Sequence, residues 1–159
     1  MQAVELLLLL LACHGAPVVA ARLFGSVAAW PVDAGMLAWD GRRWLGTSKT
    51  WRGLIASLLA AMALSYLYHW PVIFGVWFAV LAMLGDLFSS FVKRRLGKES
   101  SSRFTLLDQI PESALPLVYA WYSDGFSSVI ILQVVVMFFL VELFSSPILF
   151  WLGIRRRPH

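Results

Sequence analysis

Along its apolar and polar positions, the chain alternates long apolar stretches with short runs of charge. Apolar segments fall at residues 3 to 22, 53 to 69, 71 to 92, 112 to 123 and 126 to 152. At about 1.5 Å per residue, the first three and the last are long enough to cross a ~30 Å hydrocarbon core as helices. The fourth contains Pro116 and covers only ~18 Å by the same rise, which leaves an earlier start, a tilt or a partly re-entrant path open. Its status as a crossing is decided by charge.

With five crossings, the connection 22 to 52 holds Arg22, Arg42, Arg43, Lys49 and Arg52, and the connection 93 to 111 holds Lys93, Arg94, Arg95, Lys98 and Arg103. Arg155, Arg156 and Arg157 lie in the tail, so all 13 basic residues fall on one side. The positive-inside rule makes that side cytoplasmic. Four crossings would put the arginine tail outside, against that rule. The expectation is an all-α integral membrane protein, one domain over 1–159, with five transmembrane helices. Its amino end lies outside, its carboxyl end is cytoplasmic, and two long cytoplasmic loops carry any loop-built site. The prokaryotic cytoplasmic (inner) membrane is the expected location.

Composition supports this class. Hydrophobic residues make up 60% and charged residues 14% of the chain, against roughly 25% charged in soluble domains. Cys13 is the single cysteine, which excludes an internal disulfide and a cysteine-based metal site. Residues 1 to 21 resemble a signal peptide, and Leu10 to Cys13 a lipoprotein processing site. The first basic residue, however, is Arg22, so a leading positive segment is missing and a retained first helix is expected. Trp30, Trp39, Trp44 and Trp51 punctuate the first inside loop as interfacial anchors, and Pro31 with three glycines predicts an elbow over 23 to 45.

The candidate chemistry gathers on the cytoplasmic side. Asp86 lies inside an apolar segment, ~10 Å from its cytoplasmic end. Asp86, Ser90 and Lys93 at i, i+4 and i+7 share one helix face, with Arg94 at its edge. A carboxylate at that depth is protonated, bound to a metal, or paired with a cation, Lys93 or Arg94 being the nearest in sequence. In the first loop, Gly46 to Thr50, Arg52 and Gly53 set hydroxyls and cations at a helix start, a pattern suited to phosphate oxygens. It is not a Walker loop, since Thr47 and Ser48 separate Gly46 from Lys49. Two acids, Asp86 and Asp108, with Lys49, Arg52, Lys93 and Arg94, point to metal-assisted phosphoryl chemistry with Mg²⁺ as cofactor. A phosphate nucleophile is largely ionised at neutral pH and needs no base. His14, His69 and His159 are accordingly expected to be structural. The sequence has no H-E-x-x-H, C-x-x-C or G-x-S-x-G, so metalloprotease, thiol-redox and serine-hydrolase readings lack support. Glu142, in the last apolar segment, is expected to make a protonated helix contact.

The run Gly85-Asp86-Leu87, Ser90, Lys93-Arg94-Arg95-Leu96-Gly97 and Leu107-Asp108-Gln109 resembles the signature of the CDP-archaeol synthases and, more distantly, the CDP-diacylglycerol synthases (phosphatidate cytidylyltransferases). Pro31-Val32-Asp33-Ala34-Gly35, Asp40-Gly41-Arg42-Arg43, Leu45-Gly46 and Lys49-Thr50-Trp51-Arg52-Gly53 resemble the same family's first loop. The two ordered blocks cover most of the chain. The resemblance implies transfer of CMP from CTP to a membrane lipid phosphate, phosphatidate or an ether-lipid phosphate, with pyrophosphate released and Mg²⁺ required. It implies catalytic roles for Asp86, Asp108 and Lys93, and substrate contacts from Lys49, Thr50, Arg52, Ser90 and Arg94. Pro111 stands where the family commonly has a second acid, so the implied metal set is Asp86, Asp108 and Glu112. The competing reading is a catalytically silent lipid- or nucleotide-binding homologue that partners another lipid enzyme. The expected partners are CTP, the lipid phosphate and the bilayer, with no nucleic acid. Small-residue spacings such as Ala56 and Ala60 make an oligomer possible.

Overall fold

The structure, a computed structural model, describes residues 2–98 and 105–151, without the side chains of 105–108, 142 and 144–151. Five helices follow in order: α1 (Gln2–Phe24), α2 (Trp51–Leu67), α3 (Val72–Arg95), α4 (Thr105–Ser123) and α5 (Ser128–Trp151). Each expected apolar segment is a helix. The fourth begins at Thr105 rather than 112, which gives it 19 residues despite Pro111 and Pro116 inside it. The third extends to Arg95, so Lys93, Arg94 and Arg95 form its last turn, where cations complement the helix dipole. Among the described residues, α1 and α3 are long and apolar enough to cross a membrane, and α2 and Ser128–Val141 are shorter apolar helices.

The main pairings are α3 with α4, α1 with α2 and α2 with α3. Leu9 and Leu10 of α1, Phe78 of α3, Leu117 of α4, and Val134 and Phe138 of α5 are at most 1% exposed and form the core. Ile55, Leu59, Trp77, Phe88, Trp121 and Leu132 are each more than half exposed, so large apolar side chains cover much of the outside of the bundle. Such a surface suits lipid rather than water.

Two glycines bring α3 against its neighbours. A Cβ on Gly75 would lie 2.2 Å from Ser65 Oγ of α2, and one on Gly85 would lie 2.1 Å from the Pro111 carbonyl oxygen of α4. The second contact fixes the candidate site, because the backbones of α3 and α4 touch one residue before Asp86 and one residue before Glu112. Thr50 caps α2: its side chain accepts a hydrogen bond from Gly53 N at 3.2 Å.

Candidate active site

The loop between α1 and α2 is organised by Asp33, which is 2% exposed. Its carboxylate accepts hydrogen bonds from the backbone N–H groups of Gly35 (3.1 Å), Leu45 (3.1 Å) and Gly46 (3.0 Å). It also pairs with the Arg43 guanidinium. Burial pushes the Asp33 pKa up, but the Arg43 contact and the three backbone donors outweigh it and hold the group at about 2. The base of the loop is closed beside it by Val32 N donating to Lys49 O at 2.9 Å and Trp51 N donating to Trp30 O at 3.0 Å. The backbone at Lys49 is therefore set by the residue next to Asp33.

From that position Lys49 Nζ reaches both carboxylate oxygens of Asp86 at 2.6 Å. Of the three states open to Asp86, the structure shows a cation pair, and the cation is Lys49 rather than Lys93 or Arg94 of its own helix. Seven residues along a helix is a rise of ~10 Å, whereas the loop delivers Lys49 directly. Ser90, Lys93 and Arg94 are all buried on α3 at 3%, 8% and 8% exposure. Lys93 and Arg94 each have an interaction of their own.

The far end of α3 is clamped to the same loop. Arg42 Nη1 donates to the carbonyls of Arg94 (3.3 Å) and Arg95 (3.0 Å), satisfying acceptors that a helix end leaves open. Arg95 pairs with Asp40 at 2.7 Å and donates to Arg43 O at 2.7 Å. Its guanidinium lies 5.3 Å from the Trp39 ring centroid and 5.2 Å from that of Phe91. Gly97, at φ +73°, closes the helix, and a Cβ there would lie 3.1 Å from Arg42. Asp40, whose role the motif left open, thus works in this clamp.

Glu112 joins Asp86 across the α3–α4 contact. Its Oε1 is 3.5 Å from Ser89 Oγ, and that hydroxyl lies 3.0 Å from the Asp86 carbonyl oxygen. Its Oε2 is 3.9 Å from His14 Nδ1 on α1. Lys49, Asp86, Ser89, Glu112 and His14 therefore converge from one loop and three helices. His14 was set aside as structural in the sequence, although an ionisable residue inside an apolar helix was itself the available signal. Ser89 carried no signal beyond its neighbour Ser90.

Other expected residues lie apart from this cluster. The Thr50 hydroxyl is used in capping. Arg52 Nη1 donates to Gly25 O at 2.9 Å and Val27 O at 2.6 Å, tying α2 to the end of α1. The Asp108 and Glu142 side chains lie outside the described residues. Among the described residues, no group of three His, Cys, Asp or Glu is arranged to hold a metal ion. Asp86 and Glu112 remain as a carboxylate pair, the hard-oxygen donor set that Mg²⁺ uses together with substrate phosphates and waters, so the residues fit that ion.

Comparison with known proteins supplies the context for this geometry. The family model described as CarS-like, CDP-archaeol synthase, matches residues 3–159. A CDP-archaeol synthase of Methanosphaerula palustris is 37% identical over 150 residues, spanning 86% of this chain and 81% of that protein. One from Hyperthermus butylicus is 40% identical over 119 residues, covering 69% and 67%. A solved structure described as an intramembrane enzyme for archaeal membrane lipid biosynthesis superposes with a TM-score of 0.67 at 26% identity, covering 86% of this chain and 90% of that one.

Proposed function

Because the chain belongs to the CDP-archaeol synthase family, we propose that it transfers CMP from CTP to a membrane lipid phosphate, giving a CDP-activated lipid and pyrophosphate. The observation that carries this reading is the convergence of Lys49 from the loop on Asp86 of α3, with Glu112 of α4 beside it. An ether-lipid phosphate is the first substrate to test, after the relatives' name, and phosphatidate the second. The catalytically silent alternative has no observation in its favour, since Glu112 supplies a carboxylate near Asp86 where Pro111 does not.

In the reaction, an oxygen of the lipid phosphate attacks the α-phosphorus of CTP. The new P–O bond forms as the bond between the α-phosphorus and its bridging oxygen breaks, and that oxygen leaves with pyrophosphate. The nucleophile is already ionised near neutral pH and requires no protein base. Lys49 pairs with Asp86 without substrate and turns to phosphate oxygens when a triphosphate enters, neutralising charge as the leaving group develops it. Lys93 and Arg94 contribute further positive charge, with Ser90 buried on the same helix, while Thr50 and Arg52 support the start of α2 that follows Lys49. Asp86, Glu112 and Asp108 are assigned to hold Mg²⁺, which supplies charge neutralisation for the triphosphate when bound.

The topology belongs to the same proposal: one domain, five crossings, amino end outside, carboxyl end and site on the cytoplasmic side of a prokaryotic inner membrane. It is supported by the distribution of all 13 basic residues and by the clamp from Arg42 and Asp40 to the end of α3. The deciding experiment is transfer of labelled CMP from CTP to a panel of lipid phosphates, beside Asp86→Ala and Asp108→Ala. Magnesium-dependent product from wild type and at least ~100-fold less from Asp86→Ala is expected, in the range for losing a group that acts on transition-state charge. Folded protein that transfers CMP to none of the lipids would overturn the reading.

A further inference from the structure

Arg95 follows Lys93 and Arg94 in the chain but parts from them in space. Lys93 and Arg94 are buried, one turn beyond the buried Ser89 and Ser90 on α3. The Arg95 guanidinium turns instead to the α1–α2 loop, where it donates to Asp40 Oδ1 at 2.7 Å, Arg43 O at 2.7 Å and Arg42 O at 3.3 Å. The Trp39 and Phe91 rings stand against it, so the planar fork of donors is spent on a single turn of the loop. That turn is built locally: Arg42 N donates to Asp40 Oδ1 at 3.0 Å and Ala38 N to Arg42 O at 2.8 Å, with Gly41 at φ +71°. From there, contacts lead stepwise to Lys49. Arg43, whose carbonyl Arg95 holds, places its own guanidinium on Asp33. Asp33 orders the backbone of Leu45 and Gly46, and Val32 beside it donates to Lys49 O.

We propose that Arg95 is a positioning residue for Lys49. It keeps the loop in register with α3 while Lys49 lets go of Asp86 and turns to the triphosphate, because none of its contacts involves Asp86. The inference rests on the reading of Lys49 as a phosphate contact in CMP transfer. A loop without this tie holds Lys49 in place for only part of the time, and the apparent affinity for CTP falls by that fraction. Saturating CTP selects the competent loop, so turnover is kept.

The test follows amide hydrogen exchange of detergent-purified protein by mass spectrometry, beside the kinetics of labelled CMP transfer at saturating lipid phosphate. The variants are Arg95→Gln, Arg95→Lys, Asp40→Asn and the Arg95→Gln/Asp40→Asn pair. Arg22→Gln is the control, since it removes an exposed cation outside the clamp. Without CTP, Arg95→Gln is expected to speed exchange in the loop around the Leu45 and Gly46 amides while α2 and α3 stay protected. It raises the KM for CTP about tenfold, the shift for a loop competent one-tenth of the time. Its kcat stays within about twofold, a split that general destabilisation does not give. Arg95→Lys keeps the charge but not the fork, so its KM rises as well, whereas Arg22→Gln keeps the wild-type KM. In the Arg95→Gln background, Asp40→Asn adds less than it does alone, because its partner is already gone. A wild-type KM in Arg95→Lys, unchanged exchange in Arg95→Gln, full additivity of the pair, or an equal rise of KM in Arg22→Gln overturns the positioning role and leaves CMP transfer standing. Wild-type protein that transfers no CMP overturns the reaction and this role together.

Discussion

Lys49 and Asp86 form a largely buried pair, at 21% and 19% side-chain exposure, and that burial decides what its loss does. Removing one partner leaves a charge short of both water and compensation, a defect that reaches ~3–5 kcal/mol in fully buried pairs and is smaller here. Lys49→Met should therefore lower the unfolding temperature in detergent, and Lys49→Met/Asp86→Asn should recover part of that loss because no lone charge remains. A double variant less stable than either single one would contradict the pairing. Asp33 acts through pH. Its folded pKa of about 2 lies below the unbonded value of 3.8, so the stability it contributes is present above pH ~4 and is lost as pH falls toward 2. A scan of unfolding temperature against pH should show that acid limb in wild type and a flatter one in Asp33→Asn. Asp33→Asn also weakens charge-assisted hydrogen bonds each worth ~1.5–3 kcal/mol, and it should lower CMP transfer by releasing Lys49.

Between elements, the crossing of α3 and α4 decides whether Asp86 and Glu112 meet. The methyl of Gly85→Ala would fall 2.1 Å from the Pro111 carbonyl, so the helices must separate, at ~1–3 kcal/mol for overpacking. Loss of transfer activity and a lower unfolding temperature are expected together. Gly15→Ala is the matched control in another helix, since nothing lies within 4 Å of its would-be Cβ. It should be neutral or stabilise by ~0.5–1 kcal/mol. The late start expected for the fourth helix has the same origin. Residues 105 to 111 mix Thr105, Asp108 and Gln109 with Leu106, Leu107 and Ile110 and end in a proline, so the apolar pattern does not mark them, while the backbone contact with Gly85 holds that first part of α4 against α3.

For the whole molecule, the apolar exterior suits a bilayer, and the proposed placement of the basic residues on one side of it is open to a direct test. Cys13 is buried, and replacing it by serine allows single cysteines to report sidedness. A membrane-impermeant maleimide should label Met36→Cys, at a position 60% exposed in the first loop, in inside-out vesicles and not in right-side-out ones. Asp124→Cys, between α4 and α5, should behave in the opposite way. Labelling of both from one side would rule out the five-crossing topology.

The sequence by itself determined the helices, the loop that could carry chemistry and the family, since each rests on local pattern. Segment length and hydropathy are set by the bilayer, and the motif blocks from Pro31 to Gly53 and from Gly85 to Gln109 are contiguous in the chain. What only tertiary structure decided were contacts between distant segments. The cation on Asp86 is Lys49 rather than a neighbour on its own helix. Glu112 meets Asp86 because Gly85 lets two backbones touch, and His14 becomes its partner because α1 packs into the same bundle. None of these follows from spacing along one helix, because each depends on where a second element passes, and that is fixed by close packing of small residues rather than by hydropathy.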